Sequence, residues 1–252
     1  MVMGNNKMDL LRLYDWATTA SDTQDNHLPQ GAVIVSPEYR LAPEYPAPAP
    51  CDDCYATWLW MVEHADDLGI DTSRLVIAGS SAGGGLAAIT AQRILDEHRA
   101  NPDRAAPLPV VQILVYPMLD DRTVVRCDEE VQANGPGPKH IAWNSEWNRY
   151  GWTSYLGGLA PGASAASLPA HSVPARREDL SGLPKTWIGV GSNDLFVDED
   201  KEYALRLEQA GVEVELKVVK GAYHAFDALF RNAEVVRDFK ADQMRVMREA
   251  LR

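Results

Sequence analysis

Apolar positions along the chain fall into two alternating rhythms. Short, nearly unbroken apolar runs occupy residues 31–36, 74–78, 109–116, 185–190 and 212–219, and each reads as a strand buried on both faces. Between them, apolar residues recur at helical spacing over 52–64, from 82 to about 98, over 200–210 and from 233 to the C-terminus. In the first of these helices Trp58, Trp60, Met61 and Val62 are expected on or near the buried side. Strands alternating with helices predict right-handed βαβ crossovers and an α/β fold, a mostly parallel sheet with helices on both faces. The rhythm breaks between 119 and 168. That stretch holds Trp143, Trp147, Tyr150, Trp152 and Tyr155, and Gly135-Pro136-Gly137-Pro138 marks a turn within it. A long aromatic insertion between core strands predicts a partial helical cap inside one domain spanning 1–252.

Charge and cysteine usage remove several function classes. The 252 residues carry 24 basic and 36 acidic side chains, and a net charge of −12 argues against a nucleic-acid partner. Three cysteines do not build a disulfide framework. No apolar run reaches the roughly 20 residues that span a bilayer. Residues 1–11 lack the basic-then-apolar pattern of a signal peptide. The expectation is a soluble, cytoplasmic protein without a membrane span.

The sharpest chemical signal is Gly79-x-Ser81-x-Gly83, which follows the 74–78 strand and opens a helix. A serine in a tight strand-to-helix turn projects its hydroxyl above the sheet, with the flanking glycines leaving room for the backbone. The helix start behind it favours developing negative charge, and the Ala82 amide is placed to serve as an oxyanion donor. Such a serine needs a base and an acid that orients the base. Asp194 follows the 185–190 strand and His224 the 212–219 strand, both just past strand C-terminal ends, where ligands bind in open α/β sheets. Asp198 and Glu199 are further acids near Asp194, and both read as a solvated helix start. His27, His64, His98, His140 and His171 lack a strand-end setting and read as surface or packing residues. Ser80, Trp143, Trp147 and Trp152 are candidates for a substrate pocket, the tryptophans alternatively packing the cap.

Two other chemistries are weaker. Gly79-x-x-x-Gly83-x-Gly85 fits a dinucleotide-binding turn of the short-chain dehydrogenase kind, but no tyrosine has a lysine four residues on. Cys51-Asp52-Asp53-Cys54 has zinc-like spacing, yet a tetrahedral site would have to recruit Cys127 and a distant histidine, so no metal is expected.

Longer stretches make a family resemblance specific. Tyr39-Arg40-Leu41-Ala42-Pro43-Glu44, Gly79-Ser80-Ser81-Ala82-Gly83, Asp194-Leu195-Phe196-Val197-Asp198-Glu199 and Tyr223-His224-Ala225-Phe226 resemble signatures of the hormone-sensitive-lipase-like branch of the α/β-hydrolases. The resemblance implies a carboxylesterase or lipase-like hydrolase of small-molecule esters that needs no cofactor. It implies Ser81 as nucleophile, His224 as general base then acid, and Asp194 as the residue orienting His224. It also implies a His-Gly-Gly-Gly stretch with further oxyanion amides upstream, and none precedes residue 39. The expectation is an N-terminally shortened ester hydrolase, the alternative being a relative impaired in turnover or kept for small-molecule binding only. A strand would be missing between the 31–36 and 74–78 strands, and an unpaired edge there would favour association.

Overall fold

The structure is a computed structural model that describes residues 2, 32–103, 105–134 and 140–252. The predicted turn at 135–138, His27 and Gly31 lie outside the described residues. From residue 49 the elements run α1 (Ala49–Glu63), a single turn α2 (Ala65–Leu68), β1 (Val76–Ser80), α3 (Ala82–Ala100) and β2 (Val111–Val115). After β2 come α4 (Thr123–Asn134), α5 (Ser145–Tyr155) and two short 3-10 turns. The chain then forms β3 (Lys185–Gly191), α6 (Val197–Gln209), β4 (Val214–Val219), α7 (Phe226–Leu229) and α8 (Glu234–Ala250).

The four described strands form one parallel sheet in the order β1-β2-β3-β4. Their alternating side chains feed two cores. Val111, Ile113, Val115, Trp187 and Val190 pack under Val236, Phe239 and Met244 of α8. On the other face Leu114 and Ile188 meet Ala87, Ala91 and Leu95 of α3 and Tyr203 and Leu207 of α6. Cover on both faces explains the almost continuous apolar sequence of β2 and β3. By contrast β4 lies at the edge of the described sheet with Leu216 39% and Val218 37% exposed, so the 212–219 run, contrary to expectation, is not buried on both faces. A third core joins Cys51 of α1, Leu86 and Ile89 of α3 and Val124 of α4 to Trp152 and Tyr155 of α5. No helix among the described residues is long and apolar enough to cross a membrane.

Two further expectations are corrected. Residues 32–36 form no strand, and Val33 and Ile34 are 43% and 36% exposed. Apolar content does not make a strand without a neighbouring ladder, and β2 is the one described neighbour of β1. Trp60 is 45% exposed and stacks on His64 with ring centroids 4.7 Å apart. Two residues along a helix turn the side chain by about 200°, so Trp58 and Trp60 cannot share a face. Trp58 is buried, and Met61 and Val62 follow it inward at three and four residues' spacing.

Candidate active site

Parallel strands bring their C-terminal ends to one edge of the sheet, and Ser81, Asp194 and His224 all emerge there. Ser81 sits between β1 and α3 at φ 55°, ψ −121°, a conformation that favours glycine. Surrounding bonds hold it. Its N–H donates to the Val115 carbonyl at 2.9 Å, and its carbonyl accepts from Gly85 N–H at 3.1 Å and Met118 N–H at 2.9 Å.

The two glycines of the motif differ in their reasons for being there. A Cβ on Gly79 would lie 2.1 Å from the Gly83 carbonyl oxygen, whereas one on Gly83 would meet nothing within 4 Å. Gly84 is the second tight position, with Pro117 Cβ 2.8 Å from where its own would stand. Gly79→Ala is therefore expected to cost on the order of 4 kcal/mol, because backbone must move. Gly83→Ala should match or exceed the parent by up to about 1 kcal/mol, since alanine favours a helix. Urea unfolding of the two variants checks the contrast, and equal losses would refute it.

Asp194 and His224 are brought together by a close approach of their loops. A Cβ on Gly191, at the end of β3, would stand 2.3 Å from the Ala222 carbonyl oxygen, so only glycine lets the loops touch. Asn193 N–H donates to Ala222 O at 2.8 Å, and Ser192 Oγ accepts from Gly221 N–H at 2.8 Å. Asp194 is 1% exposed. Its Oδ1 accepts from Phe196 N–H at 3.0 Å, and its Oδ2 is 2.9 Å from His224 Nδ1. His224 Nε2 lies 2.9 Å from Ser81 Oγ. The three sequence-predicted residues thus form one unbroken hydrogen-bonded chain. Ala82 is the first residue of α3, and its N–H has no acceptor within the helix.

Aromatic rings enclose the imidazole. Tyr116 lies edge-on at 4.7 Å, Phe196 at 5.3 Å and Trp143 at 6.3 Å. Of the pocket candidates, Trp143 is the tryptophan brought to His224. Trp152 is sealed in the core beside Tyr155, and Trp147 is 52% exposed and faces Tyr150. Ser80 is the last residue of β1 and is half-buried. Tyr116 escaped the sequence reading. It stands at φ 37° directly after β2, and its hydroxyl donates to Asp227 Oδ1 at 2.8 Å. The strand-end rule that picks out Asp194 and His224 points equally to this position.

The two further acids part ways. Asp198 is solvated at the helix start, its side chain 88% exposed. Glu199 is 2% exposed, which corrects the expectation for it. The inner face of α6 runs through residues 199, 200, 203, 204 and 207, and this carries Glu199 into the core. Burial pushes its carboxyl up to about 8 against the hydrogen bonds it accepts. Asp200 is wholly buried, and among the described residues neither of its oxygens has a hydrogen-bond partner. Burial, and then the charges of Glu199 and Asp194, hold its carboxyl well above the usual range.

His64 stacks on Trp60, His171 contacts Asp96 at 3.0 Å, and His140 Nδ1 lies 3.3 Å from the Asn193 carbonyl. His98 is half-buried with no hydrogen-bond partner on Nδ1. Cys51 is buried 2.9 Å from the Tyr155 hydroxyl, and desolvation pushes its thiol up to about 11. Among the described residues no cluster of three or more histidine, cysteine, aspartate or glutamate side chains is arranged to hold a metal ion.

Comparison with known proteins places this arrangement. A family profile described as alpha/beta hydrolase fold matches residues 26–228. Esterase LipI of Mycobacterium tuberculosis is 35% identical over 196 residues, covering 77% of this chain and 56% of that protein. Carboxylesterase NlhH of the same species is 33% identical over 220 residues, covering 84% and 63%. A solved bacterial heroin esterase superposes with a TM-score of 0.75 at 38% identity, over 85% of this chain and 63% of that one. The chain thus spans a little over half the length of these relatives. Matched over most of its own length, and carrying the strand-end serine, aspartate and histidine in that order, the chain belongs to the alpha/beta hydrolase fold family, in the hormone-sensitive-lipase-like branch its motifs resemble.

Proposed function

We propose that this chain is a carboxylic-ester hydrolase that works by two-step acyl transfer. The observation that carries this reading is the Ser81–His224–Asp194 hydrogen-bonded chain, with both links at 2.9 Å. His224 takes the Ser81 proton as Oγ attacks the ester carbonyl, and Asp194 holds the ring so that Nε2 faces the serine. The oxyanion forms beside the Ala82 amide at the start of α3. His224 then gives its proton to the leaving alcohol, and water activated by the same ring releases the acid. Residues 119–168 act as the cap, with Trp143 closing the site beside His224. Relatives named as esterases, including LipI and NlhH, support the reaction class.

Two measurements on one sample test this. The protein should hydrolyse p-nitrophenyl butyrate, and a fluorophosphonate should abolish that activity while adding its mass to the peptide containing Ser81. Hydrolysis that survives stoichiometric labelling, or no hydrolysis at all, would overturn the proposal.

A further inference from the structure

Segment 116–120 touches both the serine elbow and the histidine of the site. Tyr116 lies against His224, Pro117 presses on Gly84 of the elbow, and Met118 N–H donates to the Ser81 carbonyl at 2.9 Å. At the far end of the segment the Leu119 carbonyl accepts from Ala175 N–H at 3.1 Å and the Asp120 carboxylate pairs with Arg122, while both backbone N–H groups are held by one side chain. Glu199 Oε1 accepts from Leu119 N–H at 2.7 Å and Asp120 N–H at 3.2 Å, and Oε2 takes a short hydrogen bond from the Thr123 hydroxyl. Glu199 stands five residues after Asp194, so the same carboxyl links the acid loop, the elbow's support and the first turn of α4.

We propose that Glu199 is a positioning residue for Ser81 and His224, whose carboxylate form holds segment 116–120 more tightly than its protonated form. The inference rests on the esterase reading above. All three groups that meet the carboxylate are donors, so the ionised form satisfies each of them. Thr123 Oγ in turn accepts from Arg126 at 2.7 Å. Protonation on Oε2 reverses the Thr123 contact and leaves that hydroxyl proton without an acceptor. Among the described residues no cation pairs directly with Glu199. The titratable and charged groups around it are Asp120, itself paired with Arg122 and Arg126, then Arg126 through Thr123, the Cys127 thiol of α4, which burial pushes up, and Asp200 with Asp194 on the α6 side. Burial places the exchange at about pH 8, within the range over which an esterase is assayed.

Glu199→Gln keeps the shape and supplies an amide that mimics the protonated carboxyl. The test is kcat and KM for p-nitrophenyl butyrate between pH 6 and 10, for the parent, Glu199→Gln, Glu199→Ala and Ser81→Ala. The parent kcat should show a rise with a midpoint near 8. Glu199→Gln should match the parent below pH 7, lack the rise near pH 8, and fall about ten-fold behind at pH 9, with KM within about two-fold. Glu199→Ala should lose about ten-fold in kcat at every pH. Superimposable profiles for the parent and Glu199→Gln would overturn the inference, even if Glu199→Ala does not fold. Undiminished turnover by Ser81→Ala would instead sink the esterase reading, so the two failures are told apart.

Discussion

Ser81→Ala is expected to lose roughly 10⁴–10⁶ in kcat on a short-chain ester, with KM little changed. In the proposed mechanism the hydroxyl forms the acyl bond, and the imidazole that serves as its base lies 2.9 Å away. Serine and histidine act as one unit, so His224→Ala should fall to a similar level and the double variant no further. The fold should survive, because the bonds that hold the elbow use the backbone of Ser81, at its N–H and carbonyl. Ser81→Gly adds a control. At φ 55° a side chain is strained, so glycine should raise stability by about 1 kcal/mol while abolishing turnover. Single-turnover kinetics and thermal melts of the variants check both halves. A Ser81→Ala protein that retains more than about a hundredth of parental kcat would contradict the nucleophile's role.

The second large effect concerns stability against pH. Glu199 and Asp200 are buried acids whose carboxyls are both held above their ordinary values. Unfolded, they release protons in the usual carboxyl range near 4. Folded, they keep them longer, so the folded state binds more protons and loses stability as pH rises. The stabilisation is complete below about 4.5 and is lost as pH climbs through about 8 for Glu199. A shift of that size corresponds to on the order of 5 kcal/mol across the window. Glu199→Gln and Asp200→Asn each remove one ionisation, so each urea midpoint should fall less between pH 5 and 9 than the parent's, and the double variant's should stay nearly flat. Parallel curves for parent and variants would refute the argument. Acid stability follows the opposite sign. Asp71 and Asp179 are drawn down to about 2, first by hydrogen bonds from Ser73 and Ser181 and then by Arg74 and Arg99. Their contributions are present above the ordinary carboxyl value and disappear as pH falls toward 2.

Much of the site was legible because it is built from local signals. A glycine-flanked serine between a β-branched run and a helical pattern states its own turn. Asp194 and His224 follow from standing just after strands, since parallel strands end at one edge. The glycines show where that legibility stops. Gly79 and Gly83 look equivalent in the motif, yet of the two Gly79 alone is pressed against backbone, and Gly191 carries a nearly equal contact that no motif marks. Whether Glu199 is solvated depends on how α6 rotates against the sheet, which residues far along the chain decide. Trp143, Trp147 and Trp152 share one insertion, but one lines the imidazole, one is exposed and one fills the core.

By itself, the order of apolar runs and turns determined an α/β chain with a serine elbow and its two partners at strand ends. That information is local, since each turn and strand is set by neighbours within a few residues. Tertiary structure decided the rest. It left residues 32–36 without a ladder, brought Tyr116 to His224 and buried Glu199 and Asp200 behind the acid loop. Ladders, ring contacts and desolvation arise between segments distant along the chain, so only packing sets them.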